Sequence, residues 1–200
     1  MSPPLRIAHA VERTDVEGPG RRAAVWVQGC SIRCAGCFNP HTWPAEGGTP
    51  VDPLVLADRL LGDDVEGITF LGGEPFDQAV AVAVVARRFR LAGRSVMTFT
   101  GHPYERLRDG GAPGWADLLA ATDLLVDGPY DRSRPELHRP WTGSANQRFI
   151  HLTERYRDRL GDAPPATVEV RIRPDGTVFV NGMADRQSLA GLRRTLGQRP

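Results

Sequence analysis

The 200-residue chain contains no lysine, and all 25 of its basic residues are arginine. Schiff-base catalysis and a P-loop lysine are thereby excluded, and the arginine usage itself reads as the coding bias of a GC-rich genome. Cysteine is almost as scarce, with three residues that all fall between positions 30 and 37. An odd, clustered set is no disulfide framework, so the expected compartment is the reducing cytoplasm. There is no long apolar run to span a membrane, and Met1 to Arg6 lacks the apolar stretch of a signal peptide. Neither sign of charge dominates: 25 basic residues are interspersed with 24 acidic ones, which implies no phosphate-tracking surface and no nucleic-acid partner. No Ser-His-Asp or paired-carboxylate arrangement stands out. A hydrophobic content of 40% suits one globular domain, with room for a small appendage.

What the chain does have is Cys30-x3-Cys34-x2-Cys37, with Gly29 before it and Gly36 inside it. Three thiolates on one loop can converge on a single centre but leave its shell open. A 4Fe-4S cluster usually takes four cysteines, so a three-cysteine cluster leaves one iron for a ligand that is not protein. Zinc held by the three cysteines and His41 is the alternative.

Along the chain, Leu5 to Val11 reads as a first strand at a sheet edge, with His9 a bland member of it. Ala23 to Val27 reads as a strand buried on both faces, delivering Gly29 and Cys30 at its carboxyl end. In parallel α/β sheets that end is where ligand sites lie. Pro40 to Pro50 reads as irregular chain, and Asp52-Pro53 opens a helix. A second buried strand, Gly67 to Leu71, runs into Gly72-Gly73-Glu74-Pro75, where missing side chains let backbone approach a ligand; glycine pairs also occur in ordinary strand-to-helix turns. Asp77 is expected to cap the next helix. Strands at Ser95 to Gly101, Asp123 to Gly128 and Asn146 to Leu152 follow, with helices between most of them. The alternation predicts βα units and a mainly parallel sheet. Residues 1–152 form the expected main domain and 153–166 a linker. Residues 167–200 are an extension: a hairpin around Pro174-Asp175-Gly176, then a helix from Asp185 through Leu189, Leu192 and Leu196.

The cysteine spacing, Phe38 directly after the last cysteine, and Gly72-Gly73-Glu74-Pro75 together resemble the radical S-adenosylmethionine (SAM) superfamily. Within it the chain is similar to the anaerobic ribonucleotide reductase activating proteins and their single-cluster relatives. Asp15 to Gly20, Cys37 to Trp43, Thr100 to Glu105, Asp123 to Pro129 and Gly143 to Arg148 carry this resemblance. It implies an incomplete βα barrel, a 4Fe-4S cluster on Cys30, Cys34 and Cys37, and SAM on the open iron. By the same resemblance Gly36 and Phe38 would lie at the cofactor, with Phe38 near the adenine. Gly72, Gly73 and Glu74 would receive the methionine amino end, largely through backbone. Thr100, Asp127, Asn146 and Arg148 could hold ribose or carboxylate; equally, Asp127 could cap a turn and Arg148 pair with a carboxylate. Trp43 and Trp141 read as packing residues.

The implied reaction is reductive cleavage of SAM to methionine and a 5′-deoxyadenosyl radical, with the electron from a flavodoxin-like or ferredoxin-like donor. The radical would take a hydrogen atom from a glycine of a partner protein such as an anaerobic ribonucleotide reductase. A small-molecule substrate, and a non-catalytic zinc-bearing module, are the competing readings.

Overall fold

The computed structural model describes residues 2–136, 138–160, 167–184, 190–192, 194 and 195. The strands β1 (Leu5–Thr14), β2 (Arg22–Val27), β3 (Thr49–Val51), β4 (Gly67–Gly72), β5 (Ser95–Phe99), β6 (Leu124–Asp127) and β7 (Arg148–His151) form one sheet in the order β3-β1-β2-β4-β5-β6-β7. Its centre is parallel, running β2-β4-β5-β6, with antiparallel β1 and β3 on one flank and β7 on the other. The fold is mixed α/β with a mainly parallel centre and no closed barrel among the described residues. β1 is not the edge: Thr49 to Val51, which overlaps the end of the expected irregular chain Pro40 to Pro50, pairs outside it as β3. Pro50 can sit there because an edge strand leaves some N–H positions unpaired.

The helices α1 (Pro53–Leu60), α2 (Ala79–Leu91), α3 (Tyr104–Arg108) and α4 (Trp115–Ala121) connect the strands. Asp52 caps α1 by accepting the N–H groups of Leu54 and Val55 at 2.8 and 3.1 Å. Leu56 and Leu60 of α1, Val82, Val85 and Phe89 of α2 and Leu118 of α4 bury against Val25, Val27, Ile68, Phe70, Val96 and Leu125. Strand alternation sends the intervening residues to the other face of the sheet. There Trp26, Ala24, Leu71 and Val11 form one cluster, and Met97, Leu124, Val126, Trp141 and Tyr156 another. The structure thus has a face covered by helices and an opposite face covered by other means.

At the amino ends of the parallel strands sits Arg22, wholly buried. Its guanidinium donates to Thr69 Oγ1 at 2.7 Å, to the Pro19 carbonyl at 2.6 Å and to the Ile68 carbonyl at 2.9 Å. Tyr156, also buried, donates toward Glu66 and Ser95, both at 2.6 Å. The start of the expected linker is therefore packed through Tyr156, while residues 161–166 lie outside the described residues. β8 (Val168–Ile172) and β9 (Val178–Gly182) pair as the expected hairpin. Of the expected final helix, residues 190–192, 194 and 195 are helical, and Asp185, Leu189 and Leu196 lie outside the described residues.

Replacing Arg22 by Met strands two buried oxygens and one part-buried oxygen that it satisfies. We expect a loss of about 3 kcal/mol or more in urea unfolding; a loss under about 1 kcal/mol would contradict this role for the floor of the sheet.

Candidate functional site

Beyond Val27 the chain leaves the sheet with its backbone still held. Gln28 donates to the Arg6 carbonyl at 2.9 Å, Gly29 to Thr42 at 2.8 Å and Cys30 to Trp43 at 3.2 Å. The loop then turns at Arg33 and Gly36, both at positive φ (52° and 81°), and Cys37 donates to the Cys34 carbonyl at 3.1 Å. Asp77 does not cap α2. Its carboxylate grips the cysteine loop instead, accepting Ser31 N–H at 2.7 Å and Ser31 Oγ at 2.8 Å. Gln78 adds a second brace, donating to the carbonyls of Arg6 and Gln28. Sequence reading missed this pair of braces, because a polar residue ahead of an apolar helix looks like a cap.

Gly72 and Gly73 press the end of β4 against the end of β2. A Cβ on Gly73 would stand 2.1 Å from the Gly29 carbonyl oxygen, and one on Gly72 would stand 2.6 Å from Trp26 Cα. Gly73 N–H donates to Val27 and Glu74 N–H to Gly29, both at 2.8 Å. The absent side chains therefore allow contact between two strand ends, with the Gly73 N–H spent on the end of β2 and the Glu74 N–H on Gly29 of the cysteine loop. Glu74 turns inward. It is 1% exposed and accepts Phe76 N–H at 3.0 Å, Thr100 Oγ1 at 2.9 Å and Gly101 N–H at 2.8 Å. The side chains of Glu74 and Thr100 thus lace β4 to β5. Burial pushes the Glu74 carboxyl up to about 7 against those hydrogen bonds.

The remaining expected residues divide. Asp127, fully buried, accepts Tyr104 N–H at 2.7 Å and pairs with Arg148. Arg148 also forks onto Glu105 at 2.9 and 3.1 Å, and hydrogen bonding to this guanidinium holds Glu105 down at about 2. Asp127 and Arg148 therefore neutralise each other. Asn146 donates to the Pro129 carbonyl at 2.7 Å, while its Oδ1 is buried with no hydrogen-bond partner. Phe38 is 38% exposed and meets the Tyr130 ring edge-on at 5.2 Å; Gly143 lies against both rings. Cys30 also borders an open cavity of about 460 Å³ lined by Arg6, Gln28, Arg33, Trp43 and Asp77, and none of the other expected site residues lines it.

All three cysteines are free and half-buried. Backbone N–H groups point at each sulfur: Arg33 at Cys30 (3.5 Å), Asn39 at Cys37 (3.3 Å) and Tyr130 at Cys34. Burial pushes the Cys30 and Cys34 thiols up, so metal binding there must displace protons. Among the described residues no three His, Cys, Asp or Glu side chains already form a shell for one metal ion, and the His41 side chain is exposed. Three thiols on one loop with amide donors to sulfur fit an iron–sulfur cluster, whose properties such hydrogen bonds tune.

The sequence model of the 4Fe-4S single cluster domain matches residues 16–150. Three proteins named anaerobic ribonucleoside-triphosphate reductase-activating protein are similar to this chain. That of Enterobacteria phage T4 is 30% identical over 146 residues, 70% of this chain and 89% of the relative. Those of Pasteurella multocida strain Pm70 and Escherichia coli strain K12 are each 29% identical, covering 70% and 68% of this chain and 92% of their own. The crystal structure of QueE from Escherichia coli overlaps 50% of this chain and 53% of its own, at TM-score 0.35 and 18% identity.

Two predictions follow from the seam between β2 and β4. Gly73→Ala should displace the Gly29 carbonyl and with it Cys30, so that iron bound after anaerobic reconstitution drops at least severalfold; full iron content would contradict the contact. Glu74 holds its proton up to about 7 when folded, against an ordinary value of 4.5. Its contribution to stability is full below 4.5 and is lost as pH rises to 7. The stability of the metal-free chain relative to Glu74→Gln should fall across that window, and a difference that stays constant or grows would contradict the assignment.

Proposed function

Because the chain belongs to the 4Fe-4S single cluster family, we propose that it is a radical SAM enzyme that installs a glycyl radical on a partner protein of the anaerobic ribonucleotide reductase kind. The observation that carries the reading is the placement of three free thiols on one loop at the carboxyl end of β2, pressed by Gly73 onto the end of β4. The relatives are matched over about nine-tenths of their length, and the family model spans the seam at residues 16–150.

In this reading Cys30, Cys34 and Cys37 hold the cluster. When bound, the cluster and SAM supply a one-electron cleavage that yields a 5′-deoxyadenosyl radical able to take a hydrogen atom from glycine. The chain's own residues bind and orient. The N–H groups of Gly73 and Glu74 are occupied by Val27 and Gly29, so a ligand arriving at this strand end is not met by these two donors. Phe38 and Tyr130 offer aromatic surface for an adenine, and the unpartnered Asn146 Oδ1 an acceptor. Asp127 and Arg148 hold the β6–β7 wall closed by pairing with each other, and the electron donor is a flavodoxin-like or ferredoxin-like protein. One observation favours a small-molecule substrate instead: the β8–β9 hairpin lies over the sheet face opposite the helices, through Phe179 on Trp26.

The test is anaerobic reconstitution with iron and sulfide, then dithionite and SAM, with and without the candidate partner. We expect 5′-deoxyadenosine and a glycyl radical signal on the partner, and neither with Cys34→Ala, since two cysteines do not hold the cluster. Cleavage retained in Cys34→Ala would refute the ligand set. Cleavage without a radical on the partner would favour the small-molecule substrate.

A further inference from the structure

The sheet's two faces are closed differently. Helices cover one, and on the other Trp141, Tyr156 and Phe149 cover the β5–β6–β7 end. Over β1 and β2 on that second face lies the hairpin β8–β9. Phe179 stacks on His9 at 3.9 Å between ring centroids and meets Trp26 edge-on at 5.6 Å. Trp26 stands four residues before Cys30 on the strand that carries the cysteine loop, so this strip leads to the thiols. A large substrate arriving over β1 and β2 on this face meets the hairpin.

The hairpin is held by a latch rather than by a core. Glu17, 4% exposed, accepts Gly182 N–H at 2.6 Å and Asn181 Nδ2 at 3.2 Å. Thr14 donates to Glu169 at 2.6 Å and accepts from Asn181 at 2.9 Å. The Asn181 Oδ1 is buried with no partner, so the latch leaves an acceptor unsatisfied. The hairpin's apolar residues are largely on the wrong side for a permanent element. Val168, Val170, Ile172 and Val178 are exposed, while Glu169, Arg171 and Asn181 face the chain beneath. Two strands alone are marginal in water, and this pair adds Phe179 and a few hydrogen bonds. The 4Fe-4S single cluster domain ends at residue 150, before the hairpin begins.

Resting on the protein-substrate reading above, we propose that β8–β9 is a displaceable cover, latched at Glu17, that the partner's glycine-bearing segment pushes aside to reach the cysteine loop. A chain that binds its partner only when uncovered has its apparent affinity reduced by the fraction uncovered, and loosening the cover restores it.

The experiment uses the full chain with its cluster reconstituted, SAM and the candidate reductase partner. Amide hydrogen exchange across residues 168–182 should speed up on adding partner. Phe179→Ala and Asn181→Ala should each lower the partner concentration giving half-maximal radical formation by about threefold or more, leaving partner-free SAM cleavage unchanged. A radical that forms while those amides stay equally or more protected, or variants that need more partner, would overturn the cover alone. No radical on the partner despite 5′-deoxyadenosine formation would overturn the protein-substrate reading, and the cover with it.

Discussion

The Gly29 carbonyl is the point on which the site depends. It accepts Glu74 N–H at 2.8 Å and occupies the space a Gly73 side chain would need. One oxygen thus joins the loop that carries the thiols to the end of the neighbouring parallel strand. Because the contact is backbone to backbone, no side-chain rotamer can take up a shift between the two strand ends. From there Glu74 carries the connection to β5 through Thr100 and Gly101, and Asp77 returns it to Ser31 on the loop. The site is a closed circuit of three strand ends.

Charge around that circuit is arranged for rigidity. Asp127 and Arg148 satisfy each other at the β6–β7 border, with Glu105 added at the surface, and the buried carboxyl group of Glu74 accepts backbone amides rather than cations. The described part of the site offers thiols, aromatic surface and one buried, unpartnered amide oxygen, which suits holding a cofactor that performs the chemistry itself.

The sequence reveals the parts whose cause is local. Ala23 to Val27 is apolar throughout because helices and a second layer bury both its faces, and Cys30, Cys34 and Cys37 announce their common centre by spacing. It conceals the parts whose cause is tertiary. Thr49-Pro50-Val51 has no strand pattern and becomes one only because β1 offers a free edge. Gly72 and Gly73 read as a ligand notch, and nothing local shows that side chains there would also meet the end of β2, over 40 positions back. Asp127 and Arg148 lie 21 residues apart, and nothing local says that they meet. Phe179 on His9 spans 170 positions, so a strand residue that reads as bland turns out to seat the hairpin.

In the proposed function the cysteine loop would hold a cluster with one iron left open beside the Gly73 seam. The most direct measurement is electron paramagnetic resonance of the reduced, reconstituted protein before and after addition of SAM. An open iron taking SAM as a ligand changes the cluster's g-values on addition. A cluster signal that SAM leaves unchanged, or a reconstituted protein that holds zinc and gives no cluster signal, would contradict the account.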